Sequence, residues 1–139
     1  MTSVVLQQAV GVKATIVRAG LGNINVFRGQ ESQAFQHMVD CSFADRLVFF
    51  VQSTASEDVR VQVIGADQDM GPALQAAVLV GDPELLPAGA TGQQMISLTV
   101  DLQKDWHPWM GVMLTTLPYY PQDGGVIGAW AVYRQWEVV

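Results

Sequence analysis

Residues 124–139, Gly-Gly-Val-Ile-Gly-Ala-Trp-Ala-Val-Tyr-Arg-Gln-Trp-Glu-Val-Val, constrain this chain more than any other stretch. Gly124 and Gly125 follow Pro121 and Asp123 as a turn signal, and neither Pro nor Gly occurs after Gly128. Val126, Trp130, Val132, Trp136 and Val138 share one parity, and Ala129, Ala131, Tyr133, Gln135 and Glu137 share the other. A period of two, carried by β-branched and aromatic residues, specifies a long strand rather than a helix. The parity holding both tryptophans is expected to face a core. Such a strand at the end of the chain implies a sheet that closes late.

The same period recurs upstream. Residues 3–27 read as two or three short strands, with a tight turn at Gly20-Leu21-Gly22-Asn23. Gly20 and Gly22 lack the third glycine and the following helix of a nucleotide loop. Residues 35–39 read as a short strand. Residues 46–52 are apolar on both parities, as in a central strand covered on both faces. Val59, Val61 and Val63 alternate with polar residues, as in a half-exposed strand, and the two segments suggest an antiparallel hairpin. Residues 73–80 form a further strand, followed by a loop opened by Asp82-Pro83. Ile96, Leu98, Val100 and Leu102 mark the cleanest amphipathic strand. A corner at 104–108 leads to a strand at 109–116 with Met110, Val112 and Leu114 on one side.

Eight or nine short strands and no long helix specify an all-β fold. Two antiparallel sheets packed face to face, an antiparallel β-sandwich and most of all a jelly roll, fit best. An immunoglobulin-like sandwich comes second, because its Cys–Trp–Cys hallmark is missing. With 139 residues there is room for one domain, 1–139. Residues 46–139 are expected to form the jelly-roll core. Residues 1–45 are expected to be an N-terminal arm or extra strands.

Charged residues make up only 14 % of the chain, where about a quarter is usual. A surface so poor in charge points to contacts with other protein subunits. The net charge is −6, and no two of the seven Lys and Arg are adjacent. That excludes a clustered cationic groove, so no nucleic acid is expected as a partner. An anionic membrane surface is excluded on the same ground. No apolar run approaches the roughly 20 residues of a membrane span, and the first residues lack a secretory pattern. The single cysteine, Cys41, forms no internal disulfide and reads as a small buried apolar residue.

Chemistry-bearing patterns are sparse. His37, Asp40 and Cys41 are close in sequence, but a nucleophilic triad draws its members from distant elements. Asp67 and Asp69 lack the further acids of a calcium loop. Two histidines, His37 and His107, fall short of the three or so ligands of a cupin-type metal site. No catalytic, metal or cofactor site is therefore expected, and the chain does not read as an enzyme.

The order of pieces from residue 46 onward carries a resemblance. Apolar strand 47–52 leads to alternating strand 59–64, and a loop ends in Leu85-Leu-Pro-Ala-Gly89. Strand 95–102, Trp-rich strand 109–115, a Gly-Gly turn and the small-residue strand Gly128-Ala-Trp-Ala-Val follow. This resembles the small jelly-roll cement, or capsid decoration, proteins of tailed bacteriophage heads, of the Bordetella-phage type. The pattern covers the last two-thirds of the chain, and residues 1–45 do not match it. The resemblance implies a virion structural protein, made in the host bacterial cytoplasm and placed on the outer capsid surface. It implies a homotrimer that clamps neighbouring subunits of the major capsid protein after the head expands. Trp106, His107, Trp109, Tyr119 and Tyr120 are the candidate protein-contact residues, since aromatic side chains are enriched in interface cores. The competing function is a carbohydrate-binding β-sandwich, in which the same loop aromatics stack on sugar rings.

Overall fold

In a computed structural model the described residues are 12–25, 33–54, 58–69, 77–87, 94–116 and 125–138. They form β1 (Val12–Asn25), β2 (Gln33–Ala34), β3 (Val39–Asp40), β4 (Ala44–Ser53) and β5 (Val59–Ala66). After these come β6 (Val78–Leu86), β7 (Gln94–Val100), the short helical turn α1 (Leu102–Asp105), β8 (Trp109–Thr116) and β9 (Val126–Val138). Sheet A has the strand order β1-β9-β4-β7. Sheet B has the order β2-β8-β5-β6, with β3 also on β8.

β2 and β3 lie along the same neighbour. Ala34 is opposite Met113 and Val39 is opposite Met110, so the chain between them makes an excursion from a single line. Counted as one interrupted strand, they give a nested pairing. First pairs with last, second with seventh, third with sixth and fourth with fifth, all antiparallel. A long hairpin folded over itself into two sheets is the jelly roll. The fold class read from the alternation is therefore the one the chain adopts.

The inward faces supply one apolar core. Sheet A contributes Leu47, Phe49 and Val51 of β4 with Ile127, Ala129 and Ala131 of β9. Sheet B contributes Val59 and Val61 of β5 with Met110, Val112 and Leu114 of β8. The N-terminal segment, left open between an arm and extra strands, supplies β1 to sheet A and β2 and β3 to sheet B in its described part.

Several local readings change in the fold. The Gly20–Asn23 segment is no turn, because β1 runs straight through it. Gly20 pairs with Trp130 and Gly22 with Ala129, so Leu21 is an extra residue. Gly22 takes φ 106°, which a residue without Cβ adopts readily. The bulge switches the inward parity, so that Ile16 points outward while Leu21 and Ile24 are buried. β4 and β5 are no hairpin either, because they lie in opposite sheets. Pro83 sits inside β6, where an edge strand tolerates a residue with no N–H.

The two faces of β4 and β5 are the reverse of the expected ones. β5 is buried on both sides except at Arg60, whereas β4 is buried only at alternate positions. A second apolar cluster, Ala34, Met38, Ile64 and Ala66 with Trp109 and Met113 against it, covers the outside of sheet B. Gln62 on that side is buried, and its amide donates to the Val80 and Gly81 carbonyls at 2.8 and 3.0 Å.

The parity of β9 is also reversed. Ala129, Ala131 and Ile127 face the core, while Trp130 and Trp136 lie on the outside of sheet A. The reason is volume. Packed sheets lie about 10 Å apart, and Ala131 sits in register opposite Phe49. Small residues on β9 leave room for that buried ring, and a tryptophan there would not fit.

Candidate functional site

The outside of sheet A carries several large apolar side chains of the described surface. The register places Trp130 between Gly20 and Phe50, and Val132 between Arg18 and Val48. Arg134 lies between Ile16 and Arg46, and Trp136 opposite Ala14. The Trp130 and Phe50 rings stack at 5.5 Å between centroids and 16° between planes. The Arg18 guanidinium lies 5.1 Å from the Trp130 ring centroid, and that of Arg134 lies 5.7 Å from the Trp136 centroid. Ile16 and Trp136 remain 68 % and 41 % exposed. These rings are held by their own neighbours in a fixed arrangement, which lowers the ordering cost of a contact.

Arg134 also grips Asp45 with both arms of its guanidinium. Nε donates to Oδ1 at 2.8 Å and a terminal nitrogen donates to Oδ2 at 2.5 Å. This fork, aided by the Trp136 indole, holds the Asp45 carboxyl well below the usual carboxylate range. A folded-state value below the unfolded one makes the pair stabilising above about pH 4. That contribution fades as the pH falls below the unfolded value.

Trp106 joins this surface at one end of the sandwich. It caps α1, which Asp101 opens by accepting from the Gln103 N–H. Its indole Nε1 donates to the Cys41 carbonyl at 2.8 Å, while the ring stays 46 % exposed. Two residues on, exposed Phe43 accepts a hydrogen bond from the Trp136 N–H at 3.0 Å. Trp106, Phe43 and Trp136 are thereby linked through the segment 41–43.

The other candidates lie elsewhere. Trp109 packs half-buried on the small cluster outside sheet B. His107 lies over the backbone of Gly65, where an added Cβ would stand 2.3 Å from its Cδ2. We expect Gly65→Ala to lower stability by about 1–3 kcal/mol through overpacking. Denaturant unfolding of the variant measures it. Tyr119 and Tyr120 lie outside the described residues.

The triad-like cluster has no activated nucleophile. Cys41 is fully buried, and its burial, with Asp40 adding to it, pushes the thiol up to about 12. A thiol of that kind stays protonated at neutral pH. Asp40 accepts from the Ser42 N–H and hydroxyl at 3.0 and 2.7 Å, and His37 is exposed. Among the described residues, no three His, Cys, Asp or Glu side chains converge as metal ligands do.

A groove of about 670 Å³ opens between β4, the end of β7, α1 and Arg134. Arg46, Asp45 and Asp101 line it, and no aromatic ring is among its described lining residues. It offers no stacking platform for a sugar. The Trp130 ring, held between Phe50 and Arg18, offers none either.

Fold and surface together define a jelly-roll protein with aromatic and guanidinium groups set side by side on the outside of one sheet. No protein-family model matches the chain, and no curated protein matches it. Among solved structures it is similar to a chain of infectious bursal disease virus, Gx strain, at 8 % identity and a TM-score of 0.46. That likeness covers 92 % of this chain and 37 % of the viral one. It is similar to the IMPa metallopeptidase from Pseudomonas aeruginosa at 10 % identity and a TM-score of 0.40, covering 93 % of this chain and 13 % of that one. The coat protein of Tobacco streak virus is similar at 7 % identity and a TM-score of 0.39, with 86 % and 87 % covered. This chain thus spans well under two-thirds of the first two. At these identities and scores the likenesses assign no function.

Proposed function

We propose that this chain is a virion structural protein: a capsid decoration or cement protein of a tailed-phage head. In this reading it sits on the outer surface of the expanded shell as a homotrimer, bridges subunits of the major capsid protein, and performs no catalysis. The jelly roll serves viral capsid domains, lectins and cupins alike, so the surface has to decide among them. The observation that carries the reading is the broad outer face of sheet A with its preset Trp and Arg side chains. Those residue types dominate the energetics of protein interfaces. The Trp130 ring already packs on Phe50 and Arg18, which suits a protein surface better than a stacked sugar. A cement protein gains its hold by avidity, as several modest contacts from one oligomer engage together.

The test is co-sedimentation of the purified protein with expanded shells of its phage, followed by imaging. Regular β-sandwich density on the shell is the expected result, and unbound protein at saturating concentration sinks the proposal. Trp106→Ala is expected to lower shell affinity about tenfold or more, the size of a hot-spot loss. Its fold is expected to survive, since an exposed ring and one hydrogen bond worth about 1 kcal/mol are removed. Equal occupancy by mutant and wild type would remove Trp106 from the contact.

A further inference from the structure

The exposed apolar residues of the described surface fall into two separate regions of opposite charge. The outside of sheet A carries Arg18, Arg46 and Arg134 against two carboxylates, Asp45 paired with Arg134 and Asp101 in the groove beside Arg46. The margin of sheet B along β6 carries Asp67, Asp69, Asp82 and Glu84 against one cation, Arg60, which lies opposite Leu85. Val78, Leu79 and Leu85 are exposed on that margin, Leu79 by 63 %. In a chain of net charge −6 with seven Lys and Arg, three arginines on one sheet face are a marked segregation.

We propose that the outside of sheet A receives the β6 margin of a second copy of this chain. The apolar residues of β6 meet Ile16, Trp136 and their neighbours, and its carboxylates meet Arg18 and Arg46. The contact is made by side chains and not by strand addition. Pro83 and the positive-φ Gly81, at 68°, interrupt the free edge of β6 and blunt it for pairing. The two surfaces differ, so the contact is head-to-tail and leaves one of each open on a dimer. Repetition gives a closed ring where the rotation closes, and a filament where it does not. This inference does not rest on the virion reading, because it concerns the protein alone in solution; where a neighbour covers the outside of sheet A, only the Trp106–Phe43 end of that surface is left for a shell.

Sedimentation equilibrium of the purified chain tests it with two charge-reversed variants. One carries Arg18→Glu and Arg46→Glu, the other Asp82→Lys and Glu84→Lys. All four side chains are exposed, so both variants are expected to fold, which circular dichroism checks. The wild type is expected to associate. Each variant alone is expected to associate about 100-fold more weakly or worse, since like charges then face each other. An equimolar mixture is expected to recover association, because each variant retains the intact partner of the other's intact surface. A monomeric wild type overturns the proposal. So does a β6 variant that associates as well as wild type, or a mixture that stays monomeric. Association without shell binding would count only against the cement reading, and shell binding by a monomer would overturn this inference and the homotrimer of that reading while leaving the shell contact standing.

Discussion

Phe49→Ala is expected to lower the free energy of unfolding by about 3–5 kcal/mol. Phe49 is fully buried at the middle of β4, which is itself interior to sheet A. Truncation removes the apolar surface and leaves a cavity that neighbouring strands, held by backbone ladders, cannot collapse to fill. Against a total of about 5–15 kcal/mol for a typical domain, this places the variant near the limit of folding. Phe50→Ala is the control within the same strand. Phe50 faces outward and is half-buried against Trp130, so its loss costs only part of a burial term and an aromatic pair worth about 0.5–1.5 kcal/mol. The shift in denaturant midpoint of the two variants, compared at equal slope, reads the difference directly. Equal shifts would mean that sheet A is covered on both faces.

Ala131→Leu is expected to destabilise by about 1–3 kcal/mol or more, although it adds apolar volume. Ala131 is fully buried and stands opposite Ala19 on one side and the buried Phe49 on the other, so added volume has to displace the core around it. Trp130→Ala is expected to cost less than a core tryptophan, because its ring lies on the outside of sheet A. Thermal unfolding of both variants decides between the two parities of β9. A Trp130 variant that loses more stability than Ala131→Leu would put the tryptophan inside.

That comparison shows where the sequence was legible. The period of two is dictated by the backbone, so alternation located β5, β7, β8 and β9, a short apolar run located β4, and together they specified an all-β sandwich. Alternation alone does not say which side is inward. Trp130 and Trp136 are large and apolar, and size pointed to a core. Yet the sandwich has a fixed thickness, and the buried ring of Phe49 already stands beside Ala131 on the inward face of the same sheet. Inward preference is a property of the pair of strands, invisible in either one. The reversal of β4 and β5 has the same origin, because the apolar cover outside sheet B comes from Ala34, Met38 and Trp109, distant in sequence. Gly20 and Gly22 signalled an irregularity correctly, but a turn and a bulge use the same residue. Trp106 stood out as a loop aromatic. Its link to Phe43 and Trp136 depends on the β3–β4 connection, whose path no local pattern encodes. The arginines of sheet A became a group only through register, since Arg18, Arg46 and Arg134 are far apart along the chain.

The nested pairing also sets a schedule for synthesis. β9 is the strand that joins β1 to β4, because neither pairs with the other. Until it is made, the two halves of sheet A have nothing to hold them side by side. At roughly 5–20 residues per second, β1 waits on the order of ten seconds for its partner on a translating ribosome. For that interval a 14-residue strand stands without its ladder. Lys13 and Arg18 place charge on a strand that will be an edge, a feature that disfavours pairing with another chain. The long-range closure that defines this fold thus makes its first strand the last to be secured.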